Sequence, residues 1–186
     1  MSLFEQQWQT YRTVLEHDAM EHRAAAAATG EELQTWLAQR PAHRPPPTLV
    51  DLGCGDLARM ADLFRTLPLG AYTGLDLAAS VLPLAASAMG QAPFPCRWQQ
   101  GDLLDWAERP NPSADGSAPE RVDVIHSAFA IHHLSDSQKI QFLRGARQRI
   151  EVDGLLLWVD VFQDEDDSRE TYLDRYIDRV RDWPAL

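Results

Sequence analysis

Four aspartates and two glycines carry the first chemical signal in this sequence. Asp51, Gly53 and Gly55 lie in Thr-Leu-Val-Asp-Leu-Gly-Cys-Gly, residues 48–55, where an apolar run of strand formers ends in a turn and passes into helical spacing. Strand, tight turn and helix in that order frame nucleotide-type sites. The glycines matter because a Cβ would block a ligand's approach to the backbone or penalise positive φ, whereas Cys54 between them is incidental to that need. Asp51 puts a carboxylate where a dinucleotide's pyrophosphate would be repelled and an ammonium or sulfonium would be welcome. Asp76 ends a second apolar run 21 residues after Gly55, where an acid can accept from two vicinal ribose hydroxyls. Its alternative is a helix cap, since a helix is expected from about Ala79. Asp102 follows a third run, His132 and His133 a fourth, and Asp160 closes a fifth. These two histidines and Asp160 are the groups placed to face a reacting partner and remove a proton from it. His126, within the fourth run, reads as a hydrogen-bonded core histidine.

The elements that would hold these residues follow from periodicity. Residues 1 to about 40 read as two helices, the first with Phe4, Trp8, Tyr11 and Leu15 on one face and an alanine run up to Gly30. Thr29 with Glu32 reads as a capping box opening the second, with Leu33, Trp36 and Leu37 inward. Tyr11 and His22 are its notable polar members. His17 with Glu21, and Asp18 with His22, have metal-ligand spacing, but solvated helix charges explain them more simply, and no metal is expected. Pro41 to Pro47 delivers the chain extended into the first strand. Leu57, Met60, Ala61 and Phe64 mark the first crossover helix, and Leu82, Ala85, Ala86 and Met89 the second. Strands are expected at 97–100, 122–127 and 155–162. The last two are joined by a helix capped at Ser135 and Gln138, with Ile140, Leu143, Ala146 and Ile150 inward. Residues 111–119 read as a surface loop. The acid run 164–167 suits the start of a last helix carrying Tyr172, Leu173, Tyr176, Ile177 and Val180.

Alternating strands and helices give an α/β fold: a parallel sheet covered on both faces, with its ligand crevice at the carboxyl ends between strands one and four. Asp51, Gly53, Gly55, Asp76, Asp102 and Ser127 all fall at such ends. The acid-x-Gly-x-Gly of residues 51–55 and the Gly-Asp-Leu of 101–103 resemble the class I S-adenosylmethionine-dependent methyltransferases. That resemblance covers roughly residues 48–162. It implies a Rossmann-like three-layer αβα sandwich with strand order 3-2-1-4-5, and S-adenosylmethionine as cofactor. The cofactor-side residues would be Asp51, Gly53, Cys54, Gly55, Asp76, Leu77, Asp102, Leu103 and Ser127. In it Asp102 and Leu103 would meet adenine, and helices before residue 48 would lie over the cleft. Many members carry a further glycine where this chain has Leu57. His-His-Leu at 132–134 accompanies many different substrates in resembling sequences, which suits a structural or cofactor-side role at least as well as a general base. The family usually adds two strands after the fifth, yet only 24 residues follow Phe162. The expected domains are therefore a cap and connector, 1–47, and a core, 48–186, lacking strands six and seven. The fifth strand would be left as an apolar edge for a second copy, the last helix or missing chain to cover.

Composition narrows the partners. A formal charge of -11 at pH 7, with the basic residues dispersed, argues against nucleic acid. Two cysteines, Cys54 and Cys96, placed apart, fit a reducing compartment. The amino end has no signal-peptide pattern and no apolar run is long enough to span a membrane, so a cytoplasmic protein is expected. The function read here is methyl transfer to a small-molecule acceptor. The alternatives are an NAD-dependent oxidoreductase, disfavoured by Asp51 and by residues 101–103, and a cofactor-binding protein without catalysis.

Overall fold

The computed structural model describes residues 18, 20–108, 121–162 and 165–180. In chain order the elements are α1 (His22–Gln39), β1 (Thr48–Leu52), α2 (Ala61–Thr66), β2 (Ala71–Asp76), α3 (Leu82–Met89), β3 (Cys96–Gln100), α4 (Leu103–Glu108), β4 (Val122–Ala128), a 3-10 turn (Ile131–His133), α5 (Asp136–Arg149), β5 (Ile150–Val159) and α6 (Arg169–Val180). The five strands form one sheet in the order β3-β2-β1-β4-β5, every neighbouring pair parallel. Helices cover both faces, which is the Rossmann-like architecture expected, and the order reverses between β1 and β4. Among the described residues no helix is long and apolar enough to cross a membrane.

Strand alternation splits the core in two. Leu49, Tyr72 and Val124 point to one face with Phe64 and Leu33. Val50, Leu52, Leu75 and Ile125 point to the other, where Phe142 and Ala146 of α5 cover them. Phe64 is fully buried, worth about 1.5–3 kcal/mol by area alone. The carboxyl half of α1 is fastened to the amino-terminal side of the sheet. The Trp36 indole donates to the Asp153 carbonyl at 3.0 Å, and Arg40 pairs with Asp123 at 2.8 Å.

Several expected details differ. The break at Gly30 does not occur: α1 runs through Thr29 and Gly30, both buried, and there is no capping box at Thr29. A Cβ on Gly30 would lie 3.0 Å from the Leu63 side chain, so this glycine lets two helices approach rather than ending one. The first crossover helix starts only at Ala61, because Asp56 accepts from the Ala58 amide at 3.1 Å and Leu57 turns left-handed at φ 57. The connector turns at Pro41 before running extended, the Arg44 amide donating to the Pro41 carbonyl at 3.0 Å. Helix α5 buries Ala146 and, just past its end, Ile150 as expected, but is rotated away from the other two positions. Ile140 and Leu143 are exposed, while Phe142, Gly145, Ala146 and Arg149 are buried. A Cβ on Gly145 would come within 2.4 Å of the Ala107 carbonyl oxygen, and Arg149 stacks on Trp106 at 3.8 Å, so contact with α4 fixes the rotation. Strand β5 begins at Ile150 and ends at Val159, earlier at both ends than expected, pairing with Val122 and then shifting register. The capping box at Ser135 and Gln138 is present. The stripe Phe4, Trp8, Tyr11 and Leu15, His17 and the loop 111–119 lie outside the described residues.

Candidate active site

The glycine turn is built by its neighbours. The Gly53 and Cys54 amides both donate to the Leu75 carbonyl, at 2.7 and 3.0 Å, and the Gly55 amide donates to Asp76 Oδ2 at 2.9 Å. Asp76 Oδ1 accepts from the Ala78 amide at 2.8 Å, so this carboxylate clamps the turn to the end of β2. Helix α3 begins only at Leu82, so that bond closes a local turn and is not a helix cap. Burial drives the Asp76 carboxyl above its ordinary range, with the Ala78 and Gly55 amides opposing the shift. The two glycines do different work. Gly53, at φ 76, could not carry a Cβ because Ala130 would lie 2.5 Å away. Gly55, at φ 54, would aim a Cβ into space with nothing within 4 Å, so here the backbone is bare to a ligand.

Above this turn a cleft encloses about 60 Å³. Asp51, Gly53, Cys54, Gly55, Leu57 and Arg59 form one wall, His126, Ala128, Phe129 and Val159 another, and His22, Ala25, Ala26 and Thr29 of α1 roof it. Two lining residues hold left-handed backbone without being glycine, Leu57 at φ 57 and Phe129 at φ 53. Each costs roughly 1–2 kcal/mol and marks a site whose shape is enforced from outside. The Phe129 ring rests on His22, centroids 4.5 Å apart. Burial, more than the neighbouring Arg59, lowers the affinity of His22 for a proton, against the opposing pull of Asp18.

On the floor lies a buried polar chain. The Tyr72 hydroxyl donates to Asp51 Oδ2 at 2.9 Å, and His126 Nδ1 lies 2.7 Å from Asp51 Oδ1. Burial first, and then Asp51, push the Tyr72 hydroxyl far above its usual range, so it stays a donor. At the rim, between the ends of β4 and β5, Asp160 gathers four donors. These are the His132 amide at 3.0 Å, His132 Nδ1 at 2.7 Å, the Trp158 indole at 3.1 Å and the Val161 amide at 2.9 Å. Burial alone would raise the Asp160 carboxyl, but these donors together hold it below the ordinary carboxylate range. The ring of His133 lies 4.1 Å from that of His132, and its proton affinity is lowered by burial and then by His132.

Residues 50–156, more than half the chain, match the profile of the methyltransferase domain. The chain belongs to the methyltransferase domain family. No curated protein sequence matches it. Solved structures of similar fold include the S-adenosylmethionine-bound amino pentose methyltransferase CalS10 of Micromonospora echinaspora, 18% identical over 77% of this chain and 52% of that one, TM-score 0.55. DesVI of Streptomyces venezuelae is 15% identical over 90% and 61%, TM-score 0.58. The plantazolicin methyltransferase BpumL, in complex with S-adenosylhomocysteine, is 19% identical over 94% and 65%, TM-score 0.61. The chain thus spans about half to two thirds of the length of these structures. The fold is that of the class I S-adenosylmethionine-dependent methyltransferases.

Within this methyltransferase domain the expected site residues fall into four places. Asp51, Gly53, Cys54 and Gly55 line the cleft. Asp51 is 2% exposed and both its oxygens are engaged inside the protein. Cys54 is buried and free, its thiol raised by burial and then by Asp51 and Asp76, so it stays protonated and inert. Asp76, Leu77, Asp102 and Leu103 form a shoulder beside the cleft at the ends of β2 and β3. There Leu77 is 62% exposed, and Asp102 Oδ1 accepts from the Leu104 and Asp105 amides at 2.7 and 3.2 Å. His132, His133 and Asp160 sit together at the rim, outside the cleft lining. Ser127 is fully buried and donates to the Leu52 carbonyl at 2.7 Å, away from the cleft. Sequence reasoning missed Arg59 and Phe129. Nothing in their types announced them, although Phe129 directly follows β4 and Arg59 lies four residues past Gly55, both near points expected to meet the ligand.

Proposed function

We propose that this chain binds S-adenosylmethionine across the glycine turn and the β2–β3 shoulder and transfers its methyl group to a small-molecule acceptor. The observation that carries this reading is Gly55: bare to the cleft, amide clamped by a strand-end acid, in a chain of this family. The residues present fit such a ligand. Each Asp76 oxygen accepts one backbone amide and keeps capacity for one ribose hydroxyl, and Asp102 with the Leu103 amide would take the adenine edge. When bound, the cofactor supplies an already activated methyl group, so the protein's part is alignment, exclusion of water and removal of a proton. For that proton the rim offers His132. Asp160 fixes its Nδ1, and the ring, about one third exposed, keeps Nε2 for an acceptor. His133 stands behind it as a packing neighbour. A small amine or hydroxyl compound is the acceptor class this arrangement suits, in keeping with the amino pentose named for CalS10.

Calorimetry with S-adenosylhomocysteine and NAD tests the reading. S-adenosylhomocysteine is expected to bind and NAD not to. Asp76→Ala should weaken the former by about 1.5–3 kcal/mol, the range for hydrogen bonds to a charged group. Binding of NAD alone, or equal affinity in wild type and Asp76→Ala, overturns it. Free Cys54 and Cys96 agree with a cytoplasmic setting. Strand β5 lies at the sheet's edge with Val152 73% exposed, which supports pairing with a second copy there. Monomers in light scattering would refute that pairing.

A further inference from the structure

His126 is 1% exposed and lines the cleft, and its Nε2 has no hydrogen-bond partner among the described residues. A buried polar atom left so is destabilising, so it marks a place where a partner is expected. The chemistry of that partner follows from the other side of the ring. Asp51, as a carboxylate, can only accept, so the 2.7 Å contact places the hydrogen on His126 Nδ1. In the neutral imidazole this leaves Nε2 as a bare acceptor, backed by the negative charge of Asp51. A ligand donor must meet it.

Position along the sheet says which part of the ligand that is. The shoulder holding the nucleoside lies over β3 and β2, and His126 is on β4, paired in register with Asp51 of β1. Two strand spacings, about 10 Å, separate β2 from β4. What lies beyond the ribose in that direction is the thioether and the amino-acid end. At that end the ammonium is the group with hydrogens to give, which is what a bare acceptor matches. We infer that His126 Nε2 is a cofactor-binding atom, accepting a hydrogen bond from the cofactor's ammonium group, with Asp51 acting through the imidazole and not on the ligand directly. This rests on the methyltransferase reading above.

The test compares S-adenosylhomocysteine with methylthioadenosine, the same nucleoside thioether without the amino-acid end. His126→Asn keeps an N–H for Asp51 near the position of Nδ1 and removes Nε2. In calorimetry it should weaken S-adenosylhomocysteine about tenfold and leave methylthioadenosine within about twofold. In the unsubstituted protein, the imidazole nitrogen resonances of His126 should move on saturation with S-adenosylhomocysteine and stay in place with methylthioadenosine. An equal loss for both ligands, no loss for either, or an Nε2 resonance indifferent to S-adenosylhomocysteine overturns the inference while the methyltransferase reading stands. If the unsubstituted protein binds neither ligand, that reading fails and takes the inference with it.

Discussion

Two histidine–aspartate pairs stand at the carboxyl ends of the sheet, and both have Nδ1 2.7 Å from a carboxylate oxygen. Their carboxylates are equally hidden, Asp51 3% and Asp160 2% exposed at the side chain. Only the histidines differ: the side chain of His126 is 1% exposed, that of His132 35%. Pair geometry alone therefore says little about role. Asp51 lies in a strand register with β4 and is met by a second side chain, Tyr72, so the whole chain of bonds is part of the core. Asp160 lies beyond the end of β5 and takes two backbone amides, so it stitches two chain segments together while aiming one ring outward. One pair shapes the floor of the cleft, and the other holds a partly exposed ring at its rim.

The sharpest way to break this contrast is to delete each acid. Asp51→Ala strands the Tyr72 hydroxyl and His126 Nδ1 in the core and should cost about 3–5 kcal/mol in urea unfolding. Asp160→Ala should cost less, about 1–3 kcal/mol, because water can reach His132. Equal losses would end the distinction. The next effect is kinetic. With an acceptor identified from a screen of small amines and alcohols, His132→Ala should lower turnover roughly 100-fold with S-adenosylhomocysteine affinity within about twofold. A comparable loss in His133→Ala would show that fixation by Asp160 is not what selects the base. Smaller again is Leu57→Gly. Loss of a buried side chain, about 1.5–3 kcal/mol, is offset by about 1–2 kcal/mol of relieved backbone strain, leaving a net destabilisation of about 1 kcal/mol by thermal or urea unfolding.

The smallest effect is on pH dependence. His133 and His22 are both held below the ordinary histidine range, chiefly by burial. The unfolded chain then takes up protons first, near pH of about 6.5, so this contribution to stability is complete above that pH and is lost as pH falls through the lower folded values. The depressed Asp160 acts in the same direction only below pH of about 3.9. His133→Gln should flatten the slope of unfolding free energy between about pH 7 and 5. An unchanged slope would assign that pH dependence elsewhere.

The sheet was legible because its signals are local. Most strands of this sheet are short apolar runs closed by a polar or glycine residue, as the glycine turn and Asp76 close two. Strand β3, Cys-Arg-Trp-Gln-Gln, is not apolar and is marked instead by the Gly-Asp-Leu that follows it. What was hidden depended on partners distant in the chain. Gly30 looks like a helix end until Leu63 is seen against it, and the rotation of α5 that buries Phe142 rather than Ile140 and Leu143 is fixed by Ala107 and Trp106 of α4. His126 was read as a hydrogen-bonded core residue, which its position bears out. Its partner Asp51 is 75 residues away, found only through strand register, and that no described residue meets Nε2 has no trace in sequence.

Leu57 occupies a backbone conformation usually left to glycine and is 3% exposed, its side chain within the core cluster of Phe64 and Leu33. A glycine there would let the loop sample many arrangements until a ligand selected one, and that loss of freedom would weaken binding. With leucine as an anchor the loop is ordered when the chain folds, and the strain is spread into global stability. The strained leucine still leaves the domain more stable than glycine would, and a ligand at Gly55 would meet a surface whose entropy has already been surrendered.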